Sequence, residues 1–230
     1  MSDYYKAYEE RYKQVYENNE LWETKKETKE LINIINKLNI TKNNTILDIG
    51  CGEGRDAINL LNSGYNVYAI DYSKSAIDKC NEITNYKYKE YFRDFDIIKD
   101  NLDKKYDFIY SIAVLHMFVL DSDRNRFWKF IDRHLNKYGY AVVMCMGNGI
   151  DEYESNINDA FKLKKKININ TNKEMLVAST SCRIVSWNTL EKEIKNNNLE
   201  IVAKYISTDI PNFDKVMCVI VKKCDIISHG

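Results

Sequence analysis

The stretch Ile46-Leu-Asp-Ile-Gly-Cys-Gly-Glu-Gly54 decides how this chain of 230 residues folds. Thr45–Ile49 has the composition of a short buried strand, and a helix is predicted directly after the glycines, from about residue 54 to 63. Glycine lets the backbone turn sharply and approach a ligand closely. The first turn of the helix presents free N–H groups to an anionic group such as a phosphate or a carboxylate. The stretch therefore predicts a ligand-binding turn between a strand and a helix.

Predicted strands and helices alternate along most of the chain. Strands are expected near residues 45–49, 66–70, 88–92, 106–111, 140–146, 200–207 and 215–222. Helices are expected over residues 3–38 with a break near Asn18-Asn19, and over 54–63, 73–84, 123–135 and 187–196. Such alternation predicts a doubly wound α/β fold with helices on both faces of a mostly parallel, seven-stranded sheet. The last two strands have a connection too short for a parallel crossover, so an antiparallel strand is expected near the carboxyl end.

The segment after the fifth strand is harder to interpret. Residues 151–180 are expected to begin with a helix and to continue as the polar run Lys162–Lys173. We interpret that run as a solvated surface rather than a binding site.

The charge balance of the chain limits its partners. Lysine plus arginine equals aspartate plus glutamate, 34 of each, whereas nucleic-acid-binding domains usually carry a basic excess. No run reaches the length of a membrane span, and the polar start of the chain lacks an apolar signal segment. We therefore expect a cytoplasmic protein with neither a nucleic-acid nor a membrane partner; its oligomeric state is not indicated. The six cysteines include no C-x-x-C pair and the three histidines show no ligand spacing, so no metal site is expected.

The spacing of the glycines distinguishes two classes of cofactor. A nicotinamide dinucleotide requires G-x-G-x-x-G, but Arg55 occupies the third glycine position. The glycines instead follow Asp48 at every second residue. This D-x-G-x-G-x-G pattern resembles class I S-adenosylmethionine (SAM)-dependent methyltransferases, which have a Rossmann-like fold, and the resemblance spans roughly residues 30–222. It implies SAM-binding residues at Asp48, Gly50, Cys51, Gly52, Gly54 and Arg55. A dinucleotide-dependent oxidoreductase and a tight turn without a ligand are the disfavoured alternatives.

Later segments match further positions of the same family. The second strand ends at Asp71, whose carboxylate is suited to accept hydrogen bonds from ribose hydroxyls, and Tyr72 follows it. Asp94-Phe95 resembles the position where an acid contacts the adenine amino group and an apolar residue packs on the base. A surface aspartate beside a core phenylalanine is the alternative. Ser111 lies on the strand whose end, in this family, faces the transferred methyl group.

His116 and Arg183 are candidates on the acceptor side. His116 lies in the run Val114-Leu-His-Met117, which resembles small-molecule methyltransferases. Imidazole titrates near neutral pH, so His116 is the candidate general base and a substrate contact; a histidine that only hydrogen-bonds is the alternative. Arg183 has the forked donors needed to bind an anionic substrate, although a surface salt bridge is an equal interpretation.

The amino-terminal segment is rich in aromatic residues. Tyrosines recur every four residues from Tyr4 to Tyr16 and therefore share one face of a helix. They either cover the sheet domain as a cap or line a substrate pocket as a lid. The resemblance favours the lid, with Tyr5, Tyr12 and Trp22 as substrate-binding residues.

These features predict a single methyltransferase domain over residues 1–230. Residues 1–40 form the cap or lid and 41–225 the SAM-binding core, with 147–186 as a possible substrate-side insertion. The expected activity is methyl transfer from SAM to oxygen, nitrogen or sulfur of a small metabolite, leaving S-adenosylhomocysteine (SAH). Ser111-Ile-Ala-Val replaces the N/D-P-P-F/Y motif of DNA adenine methyltransferases, which disfavours base methylation. A SAM-binding sensor or scaffold without catalysis and a protein methyltransferase remain as alternatives.

Overall fold

A seven-stranded sheet forms the centre of the structure, a computed structural model that describes residues 3–22, 26–211 and 213–224. The strands are β1 Thr45–Ile49, β2 Asn66–Asp71, β3 Phe92–Asp94, β4 Tyr106–Ile112, β5 Leu135–Met146, β6 Tyr153–Glu154, β7 Leu163–Ile167, β8 Glu174–Ala178, β9 Arg183–Ile184, β10 Leu199–Ser207 and β11 Val216–Lys223. The helices are α1 Ala7–Glu17, α2 Lys29–Lys37, α3 Arg55–Asn62, α4 Lys74–Ile83, α5 Asp121–His134 and α6 Trp187–Lys195. Short 3-10 helices occur at Tyr4–Lys6, Lys89–Tyr91, Leu115–Met117 and Ile157–Asp159.

The order of the strands in the main sheet is β3-β2-β1-β4-β5-β11-β10. The first five strands pair in parallel, and β11 runs antiparallel to both β5 and β10. This arrangement confirms the predicted doubly wound α/β fold with its antiparallel strand near the carboxyl end. The strand order reverses between β1 and β4, which is where ligands bind in sheets of this kind.

The two faces of the sheet bury separate apolar clusters. On one face, side chains from α2, α3 and α4, such as Leu31, Leu60 and Ile77, pack with Ile46 of β1. On the other face, Leu47 of β1 belongs to a cluster that includes residues of α5 and α6. Successive residues of a strand point to opposite faces, and burial of both faces explains the nearly continuous apolar run of β1. Within the described residues, no helix combines the length and apolar character required to cross a membrane.

A buried ion pair fixes the loop that follows β4. The guanidinium of Arg124, on α5, donates through Nε and Nη2 to the Glu193 carboxylate of α6, at 2.6 and 2.9 Å. Its Nη1 donates to the carbonyl oxygen of Leu115 at 3.0 Å. Because Leu115 begins the 3-10 helix that contains His116, this pair helps to hold that histidine in place.

Two local predictions were wrong. The third strand was expected at Tyr88–Phe92 but lies at Phe92–Asp94, after a 3-10 turn in which Tyr88 and Tyr91 pack edge to face. The helix expected at the start of residues 151–180 is absent: this segment contains a 3-10 helix at Ile157–Asp159, followed by an antiparallel hairpin of β7 and β8. The exposure of β8 alternates, since Met175 and Val177 are buried beside Val15 of α1. The contact of β8 with α1 positions this strand, and β7 pairs with it. The polar run Lys162–Lys173 is therefore partly a strand, although β7 remains exposed to solvent.

The predicted amino-terminal helix is two helices. Residues 18–28 separate α1 from α2, and Asn19 adopts a positive φ of 56° at the start of this connection. The break expected near Asn18-Asn19 is therefore confirmed, although the interruption is longer than expected.

Candidate active site

The glycine turn after β1 is tightly packed. Gly50, Gly52 and Gly54 have φ values of 74°, 55° and 80°, a region that residues with a Cβ rarely adopt. A Cβ on Gly50 would lie 2.3 Å from Cγ2 of Val114, and one on Gly54 would lie 2.9 Å from Sγ of Cys80. The turn therefore requires glycine at both positions, for backbone conformation and for space.

Asp71 is bound to the same turn. Its carboxylate accepts hydrogen bonds from the backbone N–H of Gly52 at 2.9 Å and of Ser73 at 2.7 Å. Burial raises the pKa of Asp71 to about 6, although these two N–H groups partly oppose the shift. The carboxylate is thus held at the carboxyl end of β2, directly beside the glycine turn.

A cavity of about 550 Å³ lies at this end of the sheet. Sequence-predicted site residues that line it are Gly50, Arg55, Asp71, Tyr72, Phe95, His116, Tyr5, Tyr12 and Trp22. The structure therefore brings together residues from α1, the glycine turn, and the ends of β2, β3 and β4. A volume of this size is in the range of pockets that bind cofactors and other small molecules.

Other predicted cofactor residues support the cavity from behind rather than line it. These are Asp48, Cys51, Gly52, Gly54 and Ser111. Asp48 and Cys51 are buried, and the Ser111 hydroxyl donates to the carbonyl oxygen of Ile49 at 3.0 Å, linking β4 to β1. These residues belong to the glycine turn and to the strands β1 and β4 on either side of the switch point.

Two candidates lie elsewhere. Asp94 is exposed and does not line the cavity, whereas Asp96, two residues later, does. The Asp96 carboxylate accepts hydrogen bonds from the Tyr5 hydroxyl at 2.9 Å and from the backbone N–H of Ile98 at 3.0 Å. Asp96 is therefore the aspartate that lines the cavity after β3, because the strand begins later than expected and Asp94 is exposed at its end.

Arg183 is a structural residue in this arrangement. It does not line the cavity. Its Nη1 donates to the carbonyl oxygen of Val119 at 2.7 Å and to the carboxylate of Asp121 at 2.6 Å. These contacts match the alternative that the sequence left open, a salt bridge at the protein surface.

Helix α1 forms one wall of the cavity. Its tyrosines Tyr8 and Tyr12 line the space, and Tyr5 does so from the turn before it. Tyr8 donates to the carbonyl oxygen of Ser181 at 3.0 Å, and Arg11 donates to the carbonyl oxygen of Ala178. The amino-terminal segment therefore reaches both the cavity and the segment after β8, as the lid interpretation requires.

Glu9 attaches α1 to the first turn of α4. Its carboxylate accepts hydrogen bonds from the Ser73 hydroxyl and from the hydroxyl and backbone N–H of Ser75, at 2.5, 2.8 and 3.2 Å. Burial alone would raise the pKa of Glu9, but the bonds from the two serines hold it below its usual value. The carboxylate is therefore ionised at neutral pH and anchors the helix.

His116 is buried in the wall of the cavity. Its pKa is lowered to about 4, mainly by burial and further by the positive charges of Arg124 and Arg11. Nδ1 is buried and has no hydrogen-bond partner within the described residues. The ring also packs edge to face against Phe213, with centroids 6.0 Å apart. At neutral pH this imidazole is therefore uncharged.

Sequence reasoning missed several residues that line the cavity. They are Tyr8, Arg11, Asp96, Ile97, Lys166, Ile167, Ile169, Phe213 and the run Ser179–Cys182. The tyrosine repeat contained a signal for Tyr8, and the small polar run after Ala178 contained one for Ser179–Cys182. The hairpin residues had no such signal, because β7 and β8 enter the site only through long-range packing.

Comparison with known proteins identifies the family. Residues 9–177 match the family described as "Tellurite resistance protein TehB". The chain belongs to the TehB family. A relative from Haemophilus influenzae strain 10810, "Probable S-adenosyl-L-methionine-dependent methyltransferase TehB", is 33% identical over 104 residues, which are 44% of this chain and 35% of the relative. The match therefore spans about a third of the curated relative.

Solved structures share the fold of this TehB family member. The 1,6-didemethyltoxoflavin-N1-methyltransferase of Burkholderia thailandensis superposes with a TM-score of 0.72 at 14% identity, covering 97% of this chain and 90% of that one. A SAM-dependent methyltransferase of Clostridium acetobutylicum gives a TM-score of 0.65 at 17% identity, with coverage of 86% and 91%. The chain therefore has the fold of class I SAM-dependent methyltransferases.

Removing the charge of Glu9 should loosen α1. We expect Glu9→Gln to increase amide hydrogen exchange in residues 7–17, because an amide accepts the serine hydrogen bonds less strongly than a carboxylate does. Exchange in the central strands should not change. Glu10→Gln is the matched control, since Glu10 is exposed and accepts a hydrogen bond from Gln14 of the same helix. Equal exchange in both variants would contradict the anchoring role.

Proposed function

We propose that this protein is a SAM-dependent methyltransferase that transfers a methyl group to oxygen, nitrogen or sulfur of a small molecule. The observation that carries the proposal is a cavity at the switch point of the sheet, bounded by Gly50, Asp71 and Asp96 on one side. Tyrosines of α1 bound the other side. The TehB relative from Haemophilus influenzae is named as a probable SAM-dependent methyltransferase, which supports the activity.

The residues present fit SAM. Gly50 lines the cavity, and glycine lets a ligand approach the backbone of the turn closely. Asp71 has spare acceptor lone pairs on both oxygens, suited to two ribose hydroxyls. Asp96 is placed to accept from the adenine amino group, with Phe95 and Ile97 as apolar neighbours in the same wall.

The chemistry divides between the cofactor and the protein. SAM supplies a methyl group on a sulfonium, and an acceptor lone pair displaces the sulfur so that SAH leaves. The protein's contribution is alignment and exclusion of water, which is worth about 7–11 kcal/mol in favourable systems. We assign His116 the removal of the acceptor's proton, because its ring lines the cavity and its buried Nδ1 has no hydrogen-bond partner within the described residues.

The acceptor side of the cavity favours a small molecule. Residues 1–40 act as the lid and 147–186 as a substrate-side insertion, because α1 and the β7–β8 hairpin both contribute lining residues. Aromatic rings of Tyr8, Tyr12 and Trp22 suit a compact organic acceptor. The Burkholderia neighbour is itself named as methylating a small heterocycle.

The direct test is methyl transfer. Purified protein should be incubated with methyl-labelled SAM and small-molecule fractions of a cell extract, together with tellurite because the family name includes it. We expect a labelled small product with SAH in equal amount. His116→Ala should lower turnover about 100-fold or more without changing SAH affinity. SAH binding without any product would favour the sensor, and labelled polypeptide would favour a protein methyltransferase.

Asp96 and Asp94 form a matched pair for testing the cofactor site. We expect Asp96→Ala to weaken SAH binding about tenfold or more, because a hydrogen bond to an ionised acceptor is lost. Asp94→Ala should leave the affinity unchanged, since Asp94 is exposed and outside the cavity. Isothermal titration calorimetry measures both. A larger loss at Asp94 would refute the placement of the adenine contact.

The pKa of Asp71 predicts how cofactor binding depends on pH. Because this pKa lies near 6, lowering the pH through 6 protonates the carboxyl and removes the acceptor that the ribose needs. SAH affinity should therefore fall below pH 6 and level off above pH 7. The free protein shows the opposite sign for this group, since ionisation of Asp71 destabilises the fold as the pH rises through 6. A pH profile for Asp71→Asn as steep as that of the wild type would exclude Asp71 as its origin.

A further inference from the structure

Arg11 is a buried cation in the wall of the cavity. Its side chain belongs to α1, and the residue is only 8% exposed. The guanidinium lies over two rings, 5.3 Å from the centroid of Tyr8 and 4.9 Å from that of Trp22. The charge is therefore removed from bulk water and is held in a fixed position.

The protein compensates this charge only in part. Nε donates to the carbonyl oxygen of Ala178 at 3.0 Å, and Nη2 donates to the carbonyl oxygens of Ala178 and Ser179 at 2.8 and 2.6 Å. Across residues 3–22, 26–211 and 213–224, the guanidinium forms no ion pair and Nη1 has no hydrogen-bond acceptor. Carbonyl dipoles and aromatic rings lower the cost of burial, but they do not neutralise the charge.

Arg124 shows how this fold treats a buried arginine that has a structural role. That residue is 1% exposed, and Glu193 binds its Nε and Nη2 with both carboxylate oxygens. Arg11 lacks such a partner and, unlike Arg124, lines the cavity. The missing counter-charge is therefore expected from a molecule in the cavity, since an unpaired buried charge is costly.

The distribution of charge along the walls supports this conclusion. Asp71 is the last residue of β2, and Asp96 follows β3. Both line the part of the cavity where the proposed function places the nucleoside. Arg11 and Lys166 come from α1 and the β7–β8 hairpin. Arg55, which also lines the cavity, lies beside the glycine turn and forms a salt bridge with Asp56. The cations of α1 and the hairpin are therefore the ones that suit an anionic group.

We propose that Arg11 is the counter-ion for a carboxylate or similar small anion on a molecule bound in the cavity, an inference that rests on the proposed function. Two sources have this chemistry: the amino-acid carboxylate of SAM and an anionic group on the methyl acceptor. Because Nε and Nη2 already donate to the two carbonyl oxygens, the N–H donors of Nη1 are the ones left to bind either group.

The first arm of the test concerns the cofactor. Calorimetry should compare SAH with its decarboxylated analogue, which keeps the ammonium group but lacks the carboxylate. If the cofactor is the source, Arg11→Gln weakens SAH binding about tenfold or more and leaves the analogue unaffected. Arg133→Gln, which changes an exposed arginine at the end of α5, is the control and should alter neither affinity.

The second arm concerns the acceptor. Protein saturated with SAH should be titrated with benzoate and with its neutral isostere benzamide. If the acceptor is the source, benzoate binds the wild type more tightly than benzamide does, and Arg11→Gln removes that preference while SAH affinity is unchanged. The proposal is overturned if Arg11→Gln changes neither carboxylate dependence, or if it weakens SAH and the decarboxylated analogue equally.

A measurement on the wild type avoids reliance on the fold of the variant. Because the charge of Arg11 contributes to the lowered pKa of His116, an anion on Arg11 should raise that pKa. Ring resonances of His116, followed by NMR against pH, should show a higher value with SAH than with the analogue, or with benzoate than with benzamide. Equal values in both pairs would reject the role of Arg11.

The cofactor proposal itself fails if the wild type binds neither SAH nor its decarboxylated analogue. In that case, titration of the free protein with benzoate and benzamide decides about Arg11.

Discussion

The mutual hydrogen bonding of the glycine turn and the end of β2 is the constraint on which the site depends. Gly50 and Cys51 donate their N–H groups to the carbonyl oxygen of Ile70, at 2.8 and 3.1 Å. Gly52 donates in the other direction, to the carboxylate of Asp71. The turn is thus fixed to the neighbouring strand by three bonds, and the Asp71 carboxylate is fixed by the turn. Neither feature would have this geometry without the other, which is why the left-handed glycines and the acidic strand end occur together.

The sequence predicted the central sheet well because its signals are local. Buried parallel strands are short apolar runs, and the glycine turn separates strand from helix without ambiguity. Errors occurred where distant contacts decide the structure. Tyr88 was assigned to a strand, yet a helical turn follows it, and Tyr91 of that turn packs on Tyr68 of β2. The lysine-rich β7 is exposed and therefore looks like a solvated loop in the sequence. It forms a strand because it pairs with β8, whose Met175 and Val177 are buried near Val15.

The candidate site shows the same division between local and distant information. Residues of the glycine motif and Asp71 could be placed from their spacing alone, and the tyrosine repeat predicted that the amino-terminal helix has a face to bury. The choice between Asp94 and Asp96 depends on where β3 begins, and a shift of a few residues changes it. Arg183 and Arg11 could not be distinguished in the sequence, because their roles depend on which distant groups they meet. Arg183 meets Asp121, whereas the contacts of Arg11 within the described part of the chain are with carbonyl oxygens and rings.

Helix α1 completes the site but is attached differently from the rest of the fold. The sheet and its covering helices are held by two apolar clusters, whereas α1 depends heavily on polar contacts through Glu9, Arg11 and Gln14. Hydrogen bonds between groups that water is able to solvate contribute only about 1 kcal/mol each to stability. The polar contacts therefore specify the position of α1 closely, and Ala7 and Val15 of the same helix add apolar contacts to them.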